Sequence, residues 1–147
     1  DKYVSIGYNF KFSNIQSSLG ISQLKKIKWR IKKLKKIYLF YKKNIQQNNK
    51  FKIVNFNTEE GELPLWTDVY CYRRNKLFNF LKSKNIICRY YWSPINTCLP
   101  YRASFNSLPN SKAIQKKMMW LPSSLEMSSK EQKKICDLIN IFFKYHY

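Results

Sequence analysis

Apolar and polar positions divide the chain into a long helical first third followed by shorter strand-like and helical segments. Over residues 13–44 apolar side chains recur three and four apart. Leu24, Ile27, Ile31, Leu34, Tyr38, Tyr41 and Ile45 fall on one stripe, the spacing of an amphipathic helix. Lys25, Lys26, Lys28, Lys32, Lys33, Lys35 and Lys36 fill the other face. Ser13 followed by Gln16 has the form of a capping box, in which each side chain satisfies an orphan backbone N–H at a helix start. A helix of about 30 residues is about 45 Å long, more than a lone small domain needs. The stripe is expected to face the core, a membrane-surface or dimer-lining helix being the alternatives, and the length suggests a bridge to something outside this chain.

Beyond a polar break at residues 46–50, residues 51–56 alternate and predict a strand. A loop over 58–63 leads to a second strand over 65–72, rich in β-formers, which Arg73, Arg74 and Asn75 end. Leu77, Phe78 and Leu81 predict a helix over 76–84, closed by Asn85, and residues 86–92 predict another strand. This succession of strand, helix and strand is a compact α/β unit. Residues 93–102 form a loop with two prolines, aromatics and polar groups at a strand end, a natural place for ligand contacts. Residues 104–110 continue as loop, 111–119 predict a helix, and 120–124 a short strand and turn. Ser128 or Ser129 caps the last helix, with Glu131 in its first turn and Ile135, Leu138, Ile139 and Phe142 as its apolar face.

Composition narrows the function classes. A chain of 147 residues with 44% hydrophobic and 17% aromatic content can build one globular domain with a core. No apolar run approaches about 18 residues, so no membrane-spanning helix is expected. The chain opens at Asp1 with no signal peptide and no initiator Met, which suggests a fragment, a processed product or an excerpt. The net charge of +20 invites a polyanion partner. Yet the charge is mostly Lys, with arginine only at Arg30, Arg73, Arg74, Arg89 and Arg102, whereas base readout and bidentate phosphate clamps favour arginine. A solvated basic face is the expectation, and nucleic acid is not expected as the main partner. Cys71, Cys88, Cys98 and Cys136 show no metal-ligand spacing, so no metal site is expected, and apolar neighbours suit buried thiols in a reducing compartment. The sole histidine, His146, is penultimate, which argues against His-dependent catalysis. The turn before the first helix would hold Tyr8, Asn9 and Lys11 at a helix N-terminus, where backbone N–H groups favour anions.

Three segments together resemble a known family. Gly7-Tyr8-Asn9-Phe10-Lys11-Phe12-Ser13-Asn14-Ile15-Gln16-Ser17-Ser18-Leu19-Gly20, continuing to Leu24, is similar to the GYNxRMxxxQAAxGxxQL signature of the DegT/DnrJ/EryC1/StrS sugar aminotransferases. The stretch from Cys88 through Pro94 and Asn96 to Tyr101 resembles that family's TRPxWxPxHxQPxY segment. Trp120-Leu121-Pro122-Ser123-Ser124-Leu125, with Ser129-Lys130-Glu131-Gln132, resembles its LPxxxxLSxEQ ending. The resemblance implies an α+β fold, in which a long N-terminal helix joins a small antiparallel sheet with flanking helices, as in the C-terminal domain of fold-type I aminotransferases. It further implies that residues 1–147 are that small domain with its connecting helix (13–45), and that the large domain binding pyridoxal 5'-phosphate (PLP) is absent from this chain.

The implied parent is cytoplasmic and carries an amino group from glutamate to a nucleotide-linked 4-keto-6-deoxysugar, in surface-polysaccharide or amino-sugar biosynthesis. It would act as a homodimer or with a separately encoded N-terminal half. The Schiff-base lysine lies upstream in the family, so the resemblance implies no catalytic residue in this chain and no activity for it alone. Asn9 would reach the partner subunit's cofactor phosphate, with Tyr8 beside it. Lys11, Arg89, Trp92, Asn96 and Tyr101 would meet the substrate. Lys11 stands where the family has Arg, keeping charge but losing bidentate geometry. Tyr90 replaces the family's Pro. Asn96 stands where many members have His, and an amide hydrogen-bonds a sugar without serving as an acid or base near pH 7. Two other readings are a stand-alone basic module that binds a polyanion and an inactive relict of the family.

Overall fold

The computed structural model describes residues 3–8, 11–102 and 108–145; Asn9 and His146 lie outside them. Runs rich in β-branched and aromatic side chains pair into one antiparallel sheet. Its strands are β1 (Phe51–Ile53), β2 (Thr67–Cys71), β3 (Arg89–Tyr90) and β4 (Met118–Leu121), in the order β1-β2-β4-β3. The helices are α1 (Asn14–Leu24), α2 (Ile27–Asn44), α3 (Arg74–Ser83), α4 (Pro109–Gln115) and α5 (Ser129–Tyr145). The architecture is α+β. Because β4 inserts between β2 and β3, the β2–α3–β3 unit is a split crossover and not a pair of neighbouring strands.

Strand register separates two faces. Ile53, Val69, Met119 and Tyr90 stand opposite one another across the four strands, and this row faces the helices. Phe51, Val69, Cys71, Met119 and Leu121 pack there with Tyr38 and Tyr41 of α2, Leu77 and Leu81 of α3, and Ile139 and Phe142 of α5. Each fully buried large apolar side chain contributes about 1.5–3 kcal/mol. Two polar side chains on the helix side of the core are bonded: the Tyr41 hydroxyl donates to the Pro122 carbonyl at 2.8 Å, and Gln132 Nε2 donates to the Ile37 carbonyl at 2.6 Å. The Tyr38 hydroxyl donates to the Val54 carbonyl and accepts from the Phe56 N–H. Asn85, at φ 60°, closes α3 in the left-handed region that asparagine tolerates.

Several sequence expectations are corrected. The single helix over 13–44 is two, broken at Lys25 and Lys26, where the Lys26 N–H turns back to the Gln23 carbonyl at 3.1 Å. The capping box of α1 is present, but α1 buries no side chain; across the break the Arg30 guanidinium of α2 donates to Gln23 Oε1 of α1. The apolar stripe is buried only at its C-terminal end, at Tyr38, Tyr41 and Ile45, joined by Ile37; Leu24 is 63% exposed. The strand expected over 86–92 pairs only at Arg89 and Tyr90, after which the chain leaves the sheet edge toward Pro94, which has no N–H to give a ladder. The helix expected over 111–119 ends at Gln115. Met118 and Met119 instead pair with Tyr70 and Val69 in the middle of the sheet, where burial outweighs their helix propensity.

Candidate ligand site on the outer sheet face

The sheet face turned away from the helices carries the chemistry. Asp68 stands opposite Trp120, and Trp120 opposite Arg89, so one row across β2, β4 and β3 presents a carboxylate, an indole and a guanidinium. Directly paired side chains in antiparallel strands share a face about 4.5–5.5 Å apart. Trp120 is the hub of an aromatic cluster: it stacks on Trp66 at 4.7 Å and meets Tyr91 at 5.5 Å and Trp92 at 5.2 Å edge-on.

Beside this row lies a cavity of about 580 Å³, lined by Tyr3, Arg89, Tyr91, Trp92, Tyr101 and Trp120 among others. The lead-in segment of the chain helps to close it, because the Leu99 N–H donates to the Tyr3 carbonyl at 3.2 Å. Among the described residues Arg89 is the one cationic side chain in this lining. An aromatic wall with a single guanidinium is suited to a flat or ring-shaped ligand bearing an anionic group. A second cavity of about 610 Å³ shares the Tyr91, Trp92 and Ser93 wall and continues past Asp68 to Ser111 and Gln115.

Asp68 and Trp120 have an unusual relation. Asp68 Oδ1 and Trp120 Nε1 are both buried, and neither makes a hydrogen bond of regular geometry. Burial raises the Asp68 carboxyl above its ordinary pKa, and the nearby indole N–H lowers it by less. An orphaned buried polar atom costs about 1–3 kcal/mol, so this pair carries a local cost that the fold tolerates.

Of the residues singled out in the sequence, the structure gathers Arg89, Trp92 and Tyr101 at the first cavity. Asn96 is only 4% exposed, in the 3-10 turn Ile95–Thr97, and is not part of the cavity lining. Tyr8 is 89% exposed and Lys11 is exposed, both ahead of α1 and outside that lining. Asn9 lies outside the described residues. Sequence reasoning missed Tyr3, Tyr91, Trp120 and Asp68 as a group. A charged residue inside a strand of β-formers was a legible signal for Asp68; the row that joins it to Trp120 and Arg89 needed the register.

Comparison with known proteins supplies the context. The profile of the DegT/DnrJ/EryC1/StrS aminotransferase family matches residues 1–140. The UDP-4-amino-4,6-dideoxy-N-acetyl-beta-L-altrosamine transaminase of Campylobacter jejuni is 27% identical over 92% of this chain and 38% of its own length. The dTDP-4-amino-4,6-dideoxy-D-glucose transaminase of Escherichia coli is 29% identical over 90% of this chain and 38% of its own. GDP-perosamine synthase of Escherichia coli O157:H7 is 28% identical, with 94% and 38% covered. The chain thus spans about 38% of the length of these relatives. Among solved structures, Helicobacter pylori PseC superposes with a TM-score of 0.75 at 21% identity, over 95% of this chain and 40% of that one. A DegT/DnrJ/EryC1/StrS aminotransferase from Brucella abortus gives 0.79 at 20% identity, over 95% and 38%. Among the described residues no lysine lines either outer-face cavity. These residues by themselves do not fit PLP, which needs a lysine for its Schiff base.

Proposed function

Since the chain belongs to the DegT/DnrJ/EryC1/StrS aminotransferase family, we propose that it is the C-terminal part of a PLP-dependent nucleotide-sugar aminotransferase. Its role in that reading is to wall the sugar-nucleotide pocket. The parent takes its amino group from glutamate and delivers it to a nucleotide-linked 4-keto-6-deoxysugar; the three relatives are named after nucleotide-linked amino sugars, the kind of product such an amination gives. PLP, when bound in the parent, supplies the electron sink for amino transfer. Its lysine and most of its pocket belong to a domain outside residues 1–147.

The observation that carries the reading is the cavity itself. Arg89 offers a bidentate donor for a diphosphate, while Trp92, Tyr101 and Trp120 offer flat faces for a sugar or base. Lys11 adds an exposed cation near the start of α1. In the proposed homodimer, Asn9 and Tyr8 reach the cofactor phosphate of the partner. The exposed surface of α1 supports a missing domain: Asn14–Leu24 carries none of the chain's 28 cationic and 8 acidic residues. Ile15, Leu19, Ile21 and Leu24 are all exposed. A helix without charge on any face is normally covered, and the cofactor-binding domain is the occupant we propose.

The test is spectroscopic. The longer parent, loaded with PLP, should change its cofactor absorption on addition of glutamate. A UDP-, dTDP- or GDP-linked 4-keto-6-deoxyhexose should then reverse the change, and residues 1–147 alone should give neither response. A loaded parent indifferent to glutamate and to all three keto sugars would sink the reading.

A further inference from the structure

Strand β3 lies at one edge of the sheet and pairs through only Arg89 and Tyr90, opposite Trp120 and Met119 of β4. Beyond them the Tyr91 N–H reaches the Met118 carbonyl at 3.4 Å, long for such a bond. An edge ladder this short opens easily by itself, yet Arg89 and the Tyr91–Trp92 wall of the cavity hang on it. Successive strand side chains alternate, so Arg89 turns to the cavity and Tyr90 to the helices. There Arg74 and Phe78, one turn apart on α3, both meet the Tyr90 ring. The Phe78 ring stacks on it at 4.3 Å, and the Arg74 guanidinium carbon lies 4.2 Å from its centroid.

The Arg74 fork is itself fixed. Its Nη1 donates to the Gln115 carbonyl at 2.6 Å and to the Met118 carbonyl at 3.4 Å. Its Nε and Nη2 donate to Asn75 Oδ1 at 3.1 and 3.0 Å. All these acceptors are neutral, and the negative face of the Tyr90 ring is a further partner for the charge. The Met118 carbonyl is shared, accepting from the Tyr91 N–H as well as from Arg74. One side chain thus ties the start of α3, the end of α4 and the first residue of β4 to the strand that carries Arg89.

We propose that Arg74 and Tyr90 are positioning residues, which clamp β3 so that Arg89 presents its guanidinium to the diphosphate of a nucleotide sugar. This deepens the nucleotide-sugar reading and rests on it. A bidentate phosphate contact has a narrow geometry, and a site built on it tolerates a displacement of only about 0.5 Å. The two paired residues of β3 do not impose that by their backbone; the ring clamp on the opposite face does.

Two measurements on the full chain test this. Hydrogen exchange reads the strand. The Tyr91 amide should exchange about tenfold faster or more in Tyr90→Ala than in wild type. The Cys71 amide, bonded to the Lys117 carbonyl at 2.8 Å, should keep its rate. Calorimetric titration with UDP, dTDP and GDP reads Arg89. The wild type should bind at least one of them, and Arg89→Gln should weaken that one by about tenfold or more, the scale of a charge-assisted hydrogen bond. Tyr90→Ala should weaken it about threefold or more, and Tyr90→Phe, which keeps the ring, should stay within about twofold. Arg74→Lys keeps the charge without the fork and should fall between them.

Tyr90 also borders the cavity, so direct contact with the ligand is the rival account. In an Arg89→Gln background, Tyr90→Ala should cost less than about twofold more, because its effect passes through Arg89; a direct contact would keep its full cost. Should Tyr90→Ala not fold, Tyr90→Leu, which keeps apolar bulk without an aromatic face, is read in its place. A folded Tyr90 variant with wild-type Tyr91 exchange, with wild-type affinity, or with a loss that persists without Arg89 overturns the positioning role and leaves the nucleotide-sugar reading standing. Arg74→Lys matching wild type in both measurements overturns the Arg74 half of it. Undiminished affinity in Arg89→Gln, or a wild type that binds none of the three diphosphates, overturns both.

Discussion

Burial raises the Asp68 carboxyl above its ordinary pKa, and the Trp120 indole offsets this only in part. The folded chain therefore holds that proton more tightly than the unfolded chain. For a group whose folded pKa is raised, stability is fully present below the unfolded value and is lost as pH rises through the folded one. Asp68→Asn removes the charge and with it this loss. Thermal melts from about pH 4 to about pH 8 should show the variant gaining on wild type as pH rises; parallel curves would contradict it. The thiols behave differently. Burial pushes Cys88 and Cys136 up to about 12 and Cys71 up to about 11, so almost no thiolate exists near neutral pH. A thiol reagent at about pH 8 should label these three positions slowly in the native chain and rapidly in guanidinium, as read by peptide mass mapping. Fast native labelling would contradict the packing described.

Helix α5 is the element whose start is best defined. The Glu131 N–H donates to Ser128 Oγ at 3.2 Å, and the Ser128 N–H donates to Glu131 Oε2 at 2.8 Å. Ser128→Ala should lower stability by about 0.5–2 kcal/mol in denaturant melts. Hydrogen bonds from Ser128 hold the Glu131 pKa below its ordinary value. That contribution is present above the unfolded glutamate pKa and fades as pH falls through the folded one. The Ser128→Ala variant, which keeps the Ser128 backbone N–H donor but loses the hydroxyl, should show a smaller acid-side loss. Such a cap was legible in the sequence because its chemistry is local. So were the core faces of β2 and α5, where the right period runs the length of the element. β4 was not legible: Met118, Met119, Trp120 and Leu121 are all buried, which erases the alternation that marks a half-exposed strand. The break after α1 was equally hidden, since Leu24 and Ile27 continue the stripe in sequence although both stay exposed among the described residues. Arg89, Trp92 and Tyr101 could be named from their segment, but their union with Asp68 depends on β4 entering between β2 and β3.

At the scale of the molecule, the helical core and the α1 arm should respond to different changes. The core is closed by α2, α3 and α5 against the sheet, whereas α1 contributes nothing buried to it. Ile15 and Leu19 lie four residues apart and so stand on one face of α1, 77% and 62% exposed. Replacing both with Glu removes no core contact, so the unfolding free energy of the chain in denaturant melts should stay within about 0.5 kcal/mol of wild type, the usual range for surface substitutions. An exposed apolar helix face is also a site for unwanted association. Sedimentation of the wild-type chain should therefore show self-association that the Ile15→Glu, Leu19→Glu variant lacks. In the longer parent the same two changes should loosen α1 from the cofactor-binding domain, lowering retention of PLP during dialysis while leaving the fold of residues 27–145 intact. Retention equal to wild type would show that α1 does not dock there. Destabilisation of the isolated chain would show instead that α1 belongs to the core.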